Sequence, residues 1–295
     1  MTGVLSIDAL TVRIPVGRGA VVHAVTELSL ELAAGTVTAL VGESGCGKSM
    51  VAGAALGALP REAVATGSVR LALGDRVVDV LAGEESFRGR HIALVPQSPS
   101  THFTPVRTIG AQLAETIAAL GTTHRPADLV DRAGLCPTAL ELYPHELSGG
   151  MAQRAAVAAA LAGDPAVIVA DEPTSGLDRG RTDQIGRLLR ECADDGAAVL
   201  LITHDLGHLL RAGIADTLAI MYASRLMETG PAAEVLADPR HDYTRDLLAA
   251  LPERGLRPLP HPPRALTNLS EICPYAGAPT TLVRQGQRMI RRARC

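Results

Sequence analysis

Residues Gly42, Glu43, Ser44, Gly45, Cys46, Gly47, Lys48 and Ser49 follow the spacing G-x4-G-K-S, and few folds accept such a run. Glycines at 42, 45 and 47 let the backbone curl so that successive N–H groups face one point. A strand must deliver that loop and a helix must leave it, so that the positive end of the helix adds to the same focus. The neighbouring residues comply. Thr36-Val37-Thr38-Ala39-Leu40-Val41 is an apolar strand, and Met50 to Leu59 is a helical run closed by Pro60. Lys48 is the only lysine of the chain, the other 27 of its 28 Lys and Arg residues being arginine. A compact ammonium on a thin stem slips between phosphate oxygens where a planar guanidinium does not fit. The loop is therefore suited to a nucleoside triphosphate, with Lys48 between the β- and γ-phosphates and the Ser49 hydroxyl on Mg²⁺.

A chain of 295 residues holds one large α/β domain with an appendage, or two modest ones. Hydrophobic residues make up 47 % of it without a single tryptophan, so Ala, Val, Leu and Ile must build the core. The longest apolar stretch, Ala155 to Ala170, is broken by Asp164-Pro165, so no membrane span is expected. The N-terminus lacks a basic lead, and no signal peptide is expected. A net charge of −3 argues against sequence-independent binding of nucleic acid. Cysteines at 46, 136, 192, 273 and 295 form no C-x2-C pair and read as free thiols.

Strand signals recur at Val4–Val12, Leu28–Leu32, Ser68–Leu73, His91–Val95, Val167–Ala170, Ala198–Ile202 and Thr217–Met221. Helical texture fills most of Ile109 to Gly163, and Arg181–Ala193 is helical between two strands. This alternation predicts a largely parallel sheet, with a helical insertion over about 97–160. Prolines 252, 258, 260, 262 and 263 mark a linker, and the last residues, with arginines 284, 288, 291, 292 and 294, read as a solvated tail.

Carboxylates at the end of a central parallel strand lie where ligands bind in such sheets. Asp171 is suited to hold Mg²⁺ and Glu172 to polarise an attacking water. His204, after the strand Val199 to Thr203, can donate to a γ-phosphate. Gln97, after Ile92 to Pro96, can ligate Mg²⁺ through its amide oxygen and still swing away. Ser148-Gly149-Gly150 opens an alanine-rich helix and offers a second anion-binding helix start. One phosphate chain cannot easily use both starts from a single chain. A head-to-tail dimer, with one chain's Lys48 loop facing another's Ser148-Gly149-Gly150, resolves this.

Taken together, the chain resembles an ABC-type ATPase subunit from about residue 3 to 250. The Walker A loop 42–49, Q-loop Gln97, signature 147–151, Walker B 166–172, D-loop Ser175 to Asp178 and switch His204 occur in family order. Met151 in the signature and the run Tyr243-Thr244-Arg245-Asp246-Leu247-Leu248 resemble the oligopeptide, dipeptide and nickel importers. The resemblance implies a RecA-like core with an inserted helical subdomain and an antiparallel β edge, over residues 1–251, with 252–295 as a Pro/Arg-rich extension. It implies ATP and Mg²⁺ as cofactors and Asp178 as a nucleotide-site residue. It also implies a second ATPase subunit, either a second copy or, as the family favours, a distinct chain, with two permease subunits in the membrane and an extracytoplasmic substrate-binding protein; this chain would lie at the cytoplasmic face of the membrane. The segment around Gln97 and the helical insertion would dock onto the permease.

Three departures matter. The family stacks an aromatic ring on adenine, but residues 13–26 contain none, leaving His23 or an arginine such as Arg18 and predicting weak discrimination of ATP from GTP. Only Cys273 and Cys295 lie beyond residue 250, so no iron–sulfur cluster is expected. Asp242 replaces the usual proline of the tail motif. Two alternatives stay open: an exporter subunit, distinguished by the direction of transport, and a non-transport ABC ATPase acting on nucleic acid. The latter class carries two cassettes or a long coiled coil, neither of which this chain shows. Ala54 to Pro60 and Thr108 to Gly110 lean slightly toward nickel or metallophore import.

Overall fold

Strand–helix alternation gives a parallel sheet in the computed structural model, which describes residues 4–83, 87–273 and 275–293. The chain opens with a long hairpin, β1 (Leu5–Pro15) and β2 (Val21–Leu32), followed by β3 (Val37–Val41) and α1 (Lys48–Ala55). An outer pair, β4 (Val64–Leu73) and β5 (Arg76–Asp79), precedes β6 (Ile92–Val95). A helical block comes next: α2 (Pro99–His102), α3 (Ile109–Leu120), α4 (Pro126–Arg132) and α5 (Gly149–Leu161). Then β7 (Val167–Asp171), α6 (Arg179–Asp194), β8 (Ala198–Thr203), α7 (Leu206–Ala212) and β9 (Thr217–Tyr222) alternate. The chain turns back through β10 (Arg225–Pro231), α8 (Ala232–Ala237) and α9 (Asp242–Ala249). It closes with β11 (Ile272–Cys273), β12 (Ala278–Gln285) and β13 (Arg288–Ala293).

Among the described residues one sheet runs β2-β1-β4-β5 and the other β11-β12-β13-β10-β9-β3-β8-β7-β6. Strands β9, β3, β8, β7 and β6 are parallel, and the β10 to β12 side is antiparallel. A two-residue side-chain period splits β3 between two cores. Val37, Ala39 and Val41 face α5 and α6, while Leu40 faces α1 and the outer sheet. Helix α5 can lie deep because its contact residues are small: Ala155, Ala156, Val157 and Ala158 are wholly buried. Gly163, just beyond it, has no room for a side chain, since a Cβ there would meet the Gly89 carbonyl oxygen at 1.9 Å.

The C-terminal reading needs correction. The arginine-rich end is not a solvated tail: β13 pairs with β10 and with β12, extending the central sheet. Arg288 and Arg291 are only 1 % and 2 % exposed. Burial is possible because each guanidinium is paired. Arg288 bridges to Glu228, and Arg291 donates to the Leu226 carbonyl at 2.6 Å and to the Thr280 carbonyl at 3.4 Å. Arg284 and Arg292 remain exposed, and Arg294 lies outside the described residues. The proline-rich segment is likewise more than a linker. The His23 amide donates to Leu266 O at 2.8 Å and the Asn268 amide to Val21 O at 2.8 Å, so it runs along β2.

Candidate active site

Four strands bring the sequence-predicted groups to one edge. Val41 is paired with Thr203, Asp171 with Ile202, and Val95 with Ala170. Parallel strands in that register end together, so the loops carrying Gly42, Gln97, Glu172 and His204 leave from one side of the sheet. Such a carboxyl edge is where open α/β sheets bind ligands.

The loop 42–49 is held tightly from behind. A Cβ on Gly42 would meet Met221 O at 2.1 Å, and one on Gly47 would meet Ala24 O at 2.0 Å, so neither position admits another residue. Gly47 takes φ 110° and starts α1 with no side-chain cap, which leaves the first-turn N–H groups free for a ligand. Lys48 is only 5 % exposed. Its ammonium donates to Gly42 O at 2.8 Å and Glu43 O at 3.0 Å, arching over the loop. Ser44, Gly45 and Ser49 face solvent, and Cys46 is buried. Burial pushes the Cys46 thiol up and keeps it protonated.

Asp171 and Glu172 differ sharply although adjacent. Burial raises the Asp171 carboxyl above the usual range, the Ser49 hydroxyl bonded to it works against that, and the Glu172 charge adds to it. Its Oδ1 is buried with no hydrogen-bond partner. An orphaned carboxylate oxygen beside a hydroxyl and a lysine fits a hard divalent cation, which takes oxygen ligands. Glu172 turns the other way on a backbone with φ 45°, rare for a non-glycine residue. Its Oε2 meets His204 Nδ1 at 3.1 Å and accepts from Gln97 Nε2 at 3.3 Å. The carboxylate is thus held between an imidazole and an amide, with its side chain 15 % exposed. Gln97 directs its amide nitrogen to Glu172, leaving the amide oxygen available.

Ser148, Gly149, Gly150 and Asp178 form a second group. Ser148 Oγ caps α5, accepting from the Met151 amide at 3.4 Å, and Asp178 caps α6, accepting from the Arg181 amide at 3.0 Å. Gly150 packs on Arg181, whose Cδ would lie 2.9 Å from an added Cβ. Among the described residues no hydrogen bond or ion pair joins these four to the loop 42–49. Nor does one join His23 or Arg18 to it. His23 stands across the hairpin from Arg13, in a cavity of about 270 Å³ that Arg225 and Glu271 also line. Arg18 sits on the exposed hairpin turn at φ 52°. Sequence reasoning missed what supports the loop from outside. The Ser224 amide donates to Cys46 O at 3.0 Å, and the Ser224 hydroxyl meets that of Thr26 at 2.8 Å. A serine in a strand turn carries no local signal of that task.

Comparison with known proteins agrees with this geometry. The family model described as ABC transporter matches residues 25–175. The chain is 39 % identical over 272 residues to the oligopeptide transport ATP-binding protein OppD of Mycobacterium tuberculosis, which covers 86 % of this chain but only 44 % of that protein. It thus spans less than half the length of that relative. A putative peptide import ATP-binding protein of Brucella ovis is 38 % identical over 86 % of this chain and 82 % of its own length. A probable D,D-dipeptide transport ATP-binding protein of Escherichia coli is 36 % identical over 91 % and 85 %. Among solved structures, a post-hydrolysis ATP-binding cassette dimer bound to ADP and Pi superposes with a TM-score of 0.62 at 23 % identity, over 77 % of this chain and 98 % of that one. The ATP-binding subunit of an ABC transporter gives 0.66 at 22 % identity, over 83 % and 99 %. These last two speak for the fold alone. The Lys48 loop, the Asp171-Glu172 strand end and His204 on one sheet edge, together with this kinship, place the chain in the ABC transporter family.

Proposed function

We propose that this chain is the ATP-hydrolysing subunit of an ABC importer for peptides, acting at the cytoplasmic face of a membrane. The observation that carries the reading is Glu172 held by His204 and Gln97 on the same edge as the buried Lys48. Residues 1–251 form the ATPase domain, with the helical insertion near 97–160, and 252–295 form an extension of it. The uncapped α1 terminus and Lys48 bind the phosphates, while Ser49, Asp171 and the Gln97 amide oxygen would hold Mg²⁺. Bound there, Mg²⁺ supplies charge neutralisation at the phosphate oxygens. Glu172 orients and polarises a water; His204 holds that carboxylate in place in the nucleotide-free protein and turns to donate toward the γ-phosphate once nucleotide is bound.

Ser148, Gly149, Gly150 and Asp178 act across a dimer interface, on nucleotide bound to a second ATPase subunit. A head-to-tail pair, a heterodimer by family habit, gives each nucleotide both helix starts. ATP then favours the closed pair because only that form offers both. Two permease subunits and a substrate-binding protein complete the machine. A groove of about 520 Å³ between the core and the helical block, lined by Leu56, His102, Gln112 and Leu120, suits a permease segment. Val106 stands fully out beside it at 79 % exposure. With no aromatic ring near 13–26, we expect GTP hydrolysis within tenfold of ATP hydrolysis.

Peptides lead the substrate reading because three relatives are named for them. Uptake of a labelled dipeptide, an oligopeptide and nickel with or without a metallophore, in cells carrying either this chain or Lys48→Ala, tests it. Loss of peptide uptake alone is expected. Loss of nickel uptake alone would transfer the reading to metal chelates, and export of label would overturn import.

A further inference from the structure

Away from the phosphate edge, a cavity of about 600 Å³ lies between the outer sheet and the C-terminal hairpin. Ligand pockets typically span about 300–1,000 Å³. Strand register sets its two walls. On the outer sheet, Ser6 of β1 is paired with Glu31 of β2 on one side and with Arg70 of β4 on the other. Directly paired residues of antiparallel strands share a face, so Glu31, Ser6 and Arg70 stand in line. On the central sheet, Met289 of β13 is paired with Thr229 of β10 and with Arg284 of β12. Thr229, Met289 and Arg284 make the opposite row, and Leu282 on β12 extends its apolar part.

The charges that face this cavity have no partners in the chain. Glu31, Arg70 and Arg284 are exposed, and among the described residues none of them has an ion pair or a side-chain hydrogen bond. Arginines elsewhere are paired: Arg190 with Asp194 and Asp216, and Arg288 with Glu228. Asp8 and Asp216 also line the cavity, the latter already held by Arg190. Glu31 and Arg70 are two strand spacings apart, about 10 Å, with only the short Ser6 side chain between them.

An anion and a cation fixed at that separation call for a ligand with complementary ends. An extended peptide covers about 3.3–3.6 Å per residue, so the free ammonium and carboxylate of a tripeptide span about the same distance. A carboxylate also suits the fork of an arginine. We propose that this cavity is a binding site for a short free peptide of about three residues, its ammonium on Glu31 and its carboxylate on Arg70. Arg284 adds a second cation from the opposite wall, and Met289 and Leu282 offer apolar contact to the peptide's side chains. The C-terminal hairpin is then one wall of a site, and the buried Arg288–Glu228 pair fixes that wall to β10. Peptides are also the proposed cargo, but binding here needs no nucleotide, so either reading can fail without the other.

Isothermal titration calorimetry of triglycine into the full chain, without nucleotide, tests the site. Saturable binding with a Kd below about 1 mM is expected, and its absence would overturn the proposal. N-acetyl-triglycine amide, with both ends blocked, should bind about tenfold more weakly or worse. Equal affinity for the blocked peptide would mean that charged ends are not what is recognised, and would equally overturn it. Glu31→Gln and Arg70→Gln should each weaken triglycine binding by about threefold to tenfold. Both positions are exposed, so the melting temperature should stay within about 2 °C. Location is read from the NMR spectrum of methyl-labelled methionine: the Met289 signal, assigned through Met289→Leu, should shift when triglycine is added. Binding that leaves Met289 unmoved, or that survives both substitutions at full strength, would put the peptide elsewhere and refute the cavity. A chain that binds triglycine but no ATP would sink the ATP reading alone.

Discussion

Lys48 and Asp171 on the parallel edge, and Arg288 and Glu228 beneath the C-terminal hairpin, are all charged groups withdrawn from water, yet their surroundings are opposite. Glu228 is wholly buried, and its carboxylate accepts from the Arg240 amide at 3.1 Å, from the His241 amide at 2.9 Å and from Arg288. Among the described residues Asp171 keeps an oxygen with no partner, and Lys48 has only two loop carbonyls. A buried carboxylate satisfied by several donors, as Glu228 is, fixes structure, whereas one left short of partners, as Asp171 is, is poised for a ligand. Both carboxylates belong to one sheet, Asp171 ending β7 and Glu228 lying on β10, which runs the opposite way.

The largest expected effect sharpens the functional side of that contrast. Glu172→Gln should lower phosphate release by roughly 100-fold or more, since general-base assistance is typically of that size. Nucleotide binding should persist, trapping a closed ATP-bound pair visible by size-exclusion chromatography with the partner subunit. Phosphate release near the wild-type rate in that variant would remove Glu172 from its role.

Unfolding in urea probes the structural side. Arg288→Met leaves Glu228 buried without its cation and should destabilise by about 3–5 kcal/mol, while Arg288→Met with Glu228→Leu should recover most of that loss. A double variant as unstable as the single one would mean that the hairpin is held by its backbone ladder and not by the pair.

The smallest effect has the opposite sign. The folded Asp171 carboxyl titrates above its unfolded value because of burial, so folding takes up a proton there. Stability from this group is present at acid pH and lost as pH rises through the folded pKa. Asp171→Asn should therefore raise the melting temperature of the nucleotide-free protein at neutral pH, by roughly 1–3 °C, and give no gain near pH 3. It should also abolish Mg²⁺-dependent nucleotide binding. A lower melting temperature at neutral pH would show that Asp171 is a structural carboxylate like Glu228.

Much of the parallel edge was legible in the sequence, because its parts are local. A glycine-spaced loop after an apolar strand, or an acidic pair closing Val167 to Ala170, needs only its own neighbours to be understood. The convergence of Gln97 and His204 on one oxygen of Glu172 was not written in any of the three segments, although each was singled out. The C-terminal hairpin escaped for a related reason. Arg288-Met289-Ile290-Arg291-Arg292 has the composition of an exposed end until Glu228, 60 residues earlier, is placed beside it.

By itself, then, the sequence determined the phosphate loop, the parallel α/β core, the order of the site residues and the family. Tertiary structure alone decided which buried charges are paired and which are left open, that Gln97 and His204 meet on one oxygen of Glu172, and that the arginine-rich end is a strand. The physical reason is one of range. Backbone curvature, helix starts and strand periodicity act over a few residues, whereas the burial of a charge depends on partners that only the folded chain brings near.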